Sequence, residues 1–481
     1  MGKIVLKDPK SYKNINREDF GYRPIDERLK DYKTVYLEYT DDFIKAQASR
    51  CQDCGIPFCH GFGCPVMNMI PDWNDLVFKE RWQEALNLLH STNNFPEITG
   101  KVCPSPCEEA CTLNVGMEPV TIRNIELAII EKGFENGWVV PQPPTSRTGK
   151  SVAIIGSGPA GLVAAQNLNR QGHKVTVYEK DDKIGGFLRY GIPDFKLEKN
   201  YIDRRVSQLE AEGVEFITNV HVGDDIKVKV IKNSYNVILL SCGSRDSRDL
   251  PIEGRDLNGI HFAVDYLKQS NMRVAGVKIA QKDLIDAKGK NVVVIGGGDT
   301  GADCIGTSKR QGAKNVYQLE ILPRPSNERA EDTPWPMYAK KFRSGSSHNE
   351  GCERKWNVMT KKFVGKDRVE GLVCVEVEWS KDDSGNWQMK EKQGSEFEIK
   401  ADMVLLAMGF THTVHDKLLE DLGVDFDNRG NIKTDHFGYG MTNIEGVFSA
   451  GDAARGASLI VHAFAHAGDV SKEIDKYLRK M

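Results

Sequence analysis

The chain has 481 residues, room for about three domains at roughly 100–200 residues each. An apolar content of 40%, a charged content of 28% and a net charge of −3 describe an ordinary globular protein with no pull toward nucleic acid or an anionic membrane. No stretch approaches the roughly 18 apolar residues that a spanning helix needs, and the opening MGKIVLKDPK has no apolar run, so neither a secretory signal nor a membrane anchor is expected. Leu6 also breaks the myristoylation pattern that Met1-Gly2 begins. The expectation is a soluble cytoplasmic protein, in which bunched cysteines hold metal rather than disulfides.

Residues 1–145 read as the first unit, a helical one. Seven of the eleven cysteines fall here, as C-x2-C-x4-C-x4-C (Cys51, Cys54, Cys59, Cys64) and C-x3-C-x3-C (Cys103, Cys107, Cys111). The segments carrying them, GIPFCHGFGCP and VCPSPCEEAC, are rich in Gly and Pro and read as loops able to wrap an inorganic cluster. Between them, 72–90 predicts one helix, with Asp72 as N-cap and Leu76, Trp82, Ala85, Leu86 and Leu89 at helical spacing. A second helix is predicted over 119–132, with Ile122, Ile125 and Ile129 on one face. Zinc would suit Cys51-x2-Cys54, but seven thiolates exceed one zinc site. Iron–sulfur clusters also use cysteines spread over loops. Two [4Fe-4S] clusters need eight ligands, and Glu126, on the helix after Cys111, is a candidate for the eighth; an exposed surface glutamate is the plainer alternative. Cys242, Cys304, Cys352 and Cys374 are isolated and read as small buried apolar residues.

After a linker over 141–150 the texture changes. SVAIIGSGPAGLVAAQNLNRQGHKVTVYEK reads strand, glycine turn, helix, strand, and NVVVIGGGDTGADCIGTSKRQGAKNVYQLEIL repeats it. In the first copy, Gly156-x-Gly158-x-Ala160-Gly161 has the glycines for a tight turn, for close approach of backbone to a pyrophosphate, and for helix–strand packing. Glu179 closes its second strand, where a carboxylate can accept from ribose hydroxyls. In the second copy, Gly296, Gly298, Asp299, Thr300 and Gly301 occupy the same positions. Arg324 and Arg329 follow its second strand and could hold a 2′-phosphate, favouring NADPH, while Glu320 argues for NADH. Two such copies predict an α/β chain with two Rossmann-like domains, one inserted in the other: a flavin unit over 146–265 and 405–481, and a nicotinamide unit over 266–404. Short strands at 402–408 and 447–450 are expected to return the chain to the flavin unit. Gly186 and the pair Gly451-Asp452 support FAD, with Asp452 beside a helix over 457–468. No nucleophile–base pair stands out, and His60, His462 and His466 read as structural. Hydride transfer at a flavin needs stacking and orientation, not a catalytic side chain.

The combination RCQDCGIPFCHGFGCPVMNMIPDW, GKVCPSPCEEACTLN, VTIRNIE, AIIGSGPAGL, VVIGGGDTGAD and AGDAARG resembles the small (β) subunit family of bacterial-type glutamate synthases, over nearly the whole chain. Related N-terminal modules occur in dihydropyrimidine dehydrogenase. The resemblance implies one FAD, one NADPH site and two [4Fe-4S] clusters. It implies Cys51, Cys54, Cys59 and Cys111 for one cluster, and Cys64, Cys103, Cys107 and Glu126 for the other. It also implies a partner, a large (α) subunit carrying FMN and a 3Fe-4S cluster, in a hetero-oligomer that makes L-glutamate from L-glutamine and 2-oxoglutarate. The gap between Cys103 and Cys107 is shorter than in many relatives, and LPRPSNERAEDTPWP departs from the usual nucleotide loop. A flavin–cluster subunit of a ferredoxin-dependent NADPH oxidoreductase or sulfide dehydrogenase would share these motifs, and a docking module with empty nucleotide folds would share the folds alone.

Overall fold

The computed structural model describes residues 7–435 and 439–481. Leu6 and the rest of 1–6 lie outside the described residues.

The N-terminal module is helical. Helices Asp41–Ser49, Ile70–Phe78, Trp82–His90 and Ile122–Glu135 bury Ile44, Trp73, Leu86, Leu89, Ile125 and Ile129 in one core, and Pro96–Val102 packs on Ile122–Glu135. Thr40 caps the first by accepting from the Phe43 amide at 3.2 Å. The single helix expected over 72–90 is two. Glu80 takes a left-handed φ of 59°, and the Arg81 amide turns back to the Leu76 carbonyl at 2.8 Å, closing one helix before the next. Asp72 therefore sits inside a first turn that starts at Ile70, not at its cap. The helix expected over 119–132 starts at Ile122. The Thr121 hydroxyl bonds Asp19 at 2.9 Å and does not cap it.

Among the described residues fourteen strands follow: β1 (Ser151–Ile155), β2 (Lys174–Tyr178), β3 (Glu215–Ile217), β4 (Val237–Leu240), β5 (Ile260–Phe262), β6 (Asn291–Ile295), β7 (Asn315–Glu320), β8 (Glu353–Trp356), β9 (Val358–Gly365), β10 (Val369–Lys381), β11 (Trp387–Glu391), β12 (Phe397–Lys400), β13 (Met403–Leu406) and β14 (Val447–Ser449). β14-β4-β1-β2-β3 form one parallel sheet and β5-β13-β6-β7-β8 a second. The short runs Val152–Ile155, Val237–Leu240 and Met403–Leu406 are wholly buried, as parallel strands covered on both faces require. Of the two strands expected to return to the first sheet, only β14 does. β13 stays in the second, pairing Val404 with Val293 and with Ile260. β9 to β12 add an antiparallel sheet whose alternating burial is legible in VEGLVCVEVEW but was not anticipated. The last helix, Ile460–Lys480, starts later and runs longer than the expected 457–468 and packs on Pro159–Arg170.

Buried ion pairs join the helical module to both sheets. Arg28 and Arg310 share the Glu350 carboxylate at 2.7 and 2.6 Å, with all three side chains at most 2% exposed. Removing Glu350 would strand two buried guanidinium charges, at a cost of about 3–5 kcal/mol. Arg205 holds Glu97 through Nε and Nη2, and its Nη2 lies 3.3 Å from His90 Nε2. Burial, then the Arg205 charge, push the His90 pKa down to about 3. His90 is thus neutral in the folded chain but takes up a proton on unfolding below its ordinary value of 6.5. Stability present above that pH is lost as pH falls from 6.5 toward 3. Between pH 7 and 5 the melting temperature should drop more for the native chain than for His90→Gln; equal slopes would remove His90 from this role.

Candidate redox sites

A cleft of about 670 Å³ opens at the carboxyl ends of β1, β4 and β14, where Ile155, Ser241 and Ala450 line it. This is the expected crevice of an open parallel sheet. Gly156 turns there with φ 103°, and a Cβ on it would stand 2.6 Å from the Ser241 carbonyl oxygen. A Cβ on Gly161 would collide with the Gly156 carbonyl, while one on Gly158 would meet nothing within 4 Å and project from the cleft wall. Helix Pro159–Arg170 starts here and presents its free amides. The second copy repeats the design. Gly296 has φ 124°, a Cβ on Gly301 would press on the Gly296 carbonyl at 2.5 Å, and Gly298 faces open space. Asp299 and Thr300, opening helix Asp299–Arg310, line the same cleft as the first fingerprint.

Ala160, Glu179, Gly186 and Asp452 also line the cleft. Glu179 is buried, accepting from the Ser157 amide (3.1 Å) and hydroxyl (2.6 Å) and from the Asp181 amide (2.9 Å). A carboxylate has about four lone-pair positions, so one is left for a ribose hydroxyl. Asp452 follows Gly451, whose φ of 69° needs glycine, and accepts from the Ser458 hydroxyl at 2.6 Å; burial raises its pKa. The Gly451 amide donates to His466 Nδ1 at 3.1 Å, and His60 Nδ1 bonds the Asn68 carbonyl at 3.0 Å, so both histidines hold backbone. Sequence reading missed Lys180, Arg245, Cys242 and His462 in this wall. Cys242 reads from the sequence as an isolated buried residue, yet it lies two positions past β4, at a strand end where crevices form.

The seven cysteines divide between two further cavities. Cys51, Cys54, Cys59 and Cys111 line one; Cys64, Cys103, Cys107 and Glu126 line the other. Cys111 joins the first set because Cys59–Gly63 packs on Pro106–Glu109. Among the described residues no three His, Cys, Asp or Glu side chains close on a point for a single ion. The sulfurs surround a space instead, which suits a cluster better than one zinc. Burial pushes the Cys64 and Cys103 thiols up to about 12 and raises Cys107 well above its ordinary value, so a bound cation must displace their protons. Amides already face sulfur: Asn68 N donates to Cys64 Sγ and Ser105 N to Cys103 Sγ, each at 3.4 Å. Glu126 is buried, not on the surface. Its Oε1 accepts from the Thr99 hydroxyl at 2.6 Å and the Asn93 amide at 2.9 Å, and burial raises its pKa to about 7. The donor sets fit two iron–sulfur clusters, and the open glycine faces and residual Glu179 lone pair fit a dinucleotide.

Residues 28–138 match the model described as dihydropyrimidine dehydrogenase domain II, 4Fe-4S cluster, and residues 150–467 the pyridine nucleotide-disulphide oxidoreductase model. The glutamate synthase [NADPH] small chain of Mycobacterium tuberculosis is 50% identical over 98% of this chain and 96% of its own length. The chain belongs to the glutamate synthase small-chain family. The Bacillus subtilis small chain is 44% identical, with 98% of each chain covered. The glutamate synthase [NADH] of Schizosaccharomyces pombe is 45% identical, and the match fills 22% of that longer protein. An oxidoreductase of M. tuberculosis, FprA, solved with NADPH, shares the fold at TM-score 0.54 and 20% identity, over 70% of this chain and 85% of its own.

On the nicotinamide side of this glutamate synthase small chain, neither arginine after β7 reaches the cleft. Arg324 does not line the cleft. It is exposed, with its guanidinium 4.1 Å over the Phe342 ring and Nη2 donating to Asn327 at 3.0 Å. Arg329 is drawn away altogether and pairs with Glu109 at 3.0 Å. The Glu320 carboxylate leans over Gly297.

Proposed function

We propose that this chain is the electron-input subunit of a glutamate synthase, oxidising NADPH at an FAD and feeding electrons through two [4Fe-4S] clusters to a large subunit. That subunit, carrying FMN and a 3Fe-4S cluster, makes L-glutamate from L-glutamine and 2-oxoglutarate in the cytoplasm. One observation carries the reading. The first fingerprint and Asp299-Thr300 of the second line one cleft, and the helix that walls it also walls the inner cysteine cavity. Ile460, His462 and Ala463 line the cleft while Val461, between them, lines the cavity of Cys64, Cys103, Cys107 and Glu126. Ile70 and Ile122 in turn line both cysteine cavities.

Bound in these places, a flavin and two clusters supply the splitting of a hydride pair into single electrons. The chain's own residues set where each is held. Gly158 and the amides opening Pro159–Arg170 cradle the flavin pyrophosphate, Glu179 takes a ribose, and Asp452 accepts from the ribityl side. Asp299 and Thr300 hold the nicotinamide nucleotide against the same cleft. Cys64, Cys103, Cys107 and Glu126 form the inner cluster site, next to the flavin wall. Cys51, Cys54, Cys59 and Cys111 form the outer one, in which Cys54 and Cys59 are half-buried and all of the inner cysteines buried. We place the unit boundaries by sheet membership, with the helical module over 1–145 and the nicotinamide unit running from β5 through β13.

Arg324 is proposed to leave its aromatic stack for the 2′-phosphate. Arg324→Ala should raise the KM for NADPH roughly tenfold, as befits a charge-assisted bond, without changing that for NADH. If the preference is unchanged, the 2′-phosphate has another ligand. The exit face is proposed on the loops of the outer set, where Ile56 is 79% and Val115 66% exposed. Ile56→Asp with Val115→Asp should release the large subunit on co-purification while NADPH-driven dye reduction persists. A retained complex would place docking elsewhere, and a co-purifying partner without an FMN synthase domain would sink the glutamate synthase assignment.

A further inference from the structure

The segment 321–345 leaves β7 and crosses onto the helical module. Three cations from it converge on one carboxylate. Arg329 Nη2, Lys341 Nζ and Arg343 Nη2 lie 3.0, 2.8 and 2.8 Å from Glu109, which sits between Cys107 and Cys111. Glu109 is 10% exposed, so these pairs are partly desolvated and stronger than surface ones. At the tip of the segment, the Trp335 indole N–H donates to the Cys111 carbonyl at 3.2 Å. Its ring packs on Phe58, next to Cys59, with centroids 4.6 Å apart. Arg329 Nη1 ties the segment to itself through the Thr333 and Met337 carbonyls at 3.1 and 2.6 Å.

We propose that 321–345 is a strap from the nicotinamide sheet that closes over the outer cysteine set, with Trp335 as its positioning residue. Trp335 fixes the backbone at Cys111 through one hydrogen bond and that at Cys59 through Phe58. It thereby holds two of the four outer ligands from a different sheet and keeps water from that side. A hydrogen bond at a ligand's carbonyl and a covering ring are the levers by which surroundings orient thiolate ligands and tune their metal. Glu109 is the anchor that keeps the strap down. Both contacts of Trp335, on the Cys111 carbonyl and on the Phe58 ring, fall at the outer site. The proposal rests on the outer cluster reading given above.

Three measurements on the full chain test it. In the loaded protein, Trp335→Ala should release about half of the iron to an anaerobic chelator at least roughly tenfold faster than wild type and shift the potential of one cluster signal. Trp335→Phe, which keeps the ring and loses the N–H, should show the potential shift with less iron loss. Unchanged iron release and potential in Trp335→Ala would overturn the proposal, and a wild-type chain that holds flavin but no iron would overturn the cluster reading beneath it. Independently of any cluster, Glu109→Gln should speed tryptic cleavage within 329–343 at least about tenfold by freeing the strap. Cleavage at the wild-type rate would overturn the anchor.

Discussion

Gly158→Ala should yield a folded chain that binds flavin roughly tenfold to a hundredfold more weakly, whereas Gly161→Val should yield little folded protein. The two glycines are three residues apart in one fingerprint, yet their surroundings differ. Gly158 has φ −67°, which any residue adopts, and a Cβ there meets no protein atom within 4 Å. Alanine even trims unfolded-state freedom, worth about 0.4–1 kcal/mol of added stability. Its methyl would point into space proposed for the pyrophosphate, and overpacking of about 1–3 kcal/mol converts to that loss of affinity. A Cβ on Gly161 instead meets the Gly156 carbonyl, and Ser241 Oγ at 2.9 Å. Neither side of that contact can give. Gly156 is pinned between Ser241 and the turn, and the helix lies on β1 through Leu162 and Val163 in the main core. A loss of about 3 kcal/mol or more is expected. Thermal melts and flavin absorbance separate the two cases; a stable, flavin-rich Gly161→Val would contradict the packing role.

Cys107→Ser should lower the iron content to about half and reduce electron delivery to the large subunit to background, while NADPH still reduces the flavin. Cys107 is buried and stands with Cys64, Cys103 and Glu126 in the cavity that borders Val461. Breaking the inner site severs the route between the flavin cleft and the outer set without touching either fingerprint. Cys54→Ser, at the half-buried outer set, should also halve the iron but leave one cluster reducible by NADPH. If the two variants behave alike in NADPH titrations, the inner and outer order is wrong.

The fingerprints were legible because their causes are local: three glycines, a strand before them and a helix after. The ligand partition was not. Spacing groups Cys111 with Cys103 and Cys107, but the packing of Cys59–Gly63 on Pro106–Glu109 moves it to the other set. Only the family resemblance anticipated this. The same limit hid the broken helix at Glu80, whose left-handed turn has no glycine to announce it. It also hid which sheet β13 joins, since MVLL is equally suited to the middle of either parallel sheet and only pairing decides. The basic residues after β7 read as phosphate ligands because the carboxylate that claims Arg329 lies 220 residues away. Glu126 could be singled out from its place on the helix, yet its burial with Thr99 and Asn93 belongs to tertiary packing.

The most direct test of an electron-input role is the composition of the anaerobically purified chain. About eight iron, eight acid-labile sulfide and one FAD per chain are expected, with NADPH bleaching the flavin and then the clusters. Zinc in place of iron, or a chain without flavin that NADPH leaves unchanged, would contradict it.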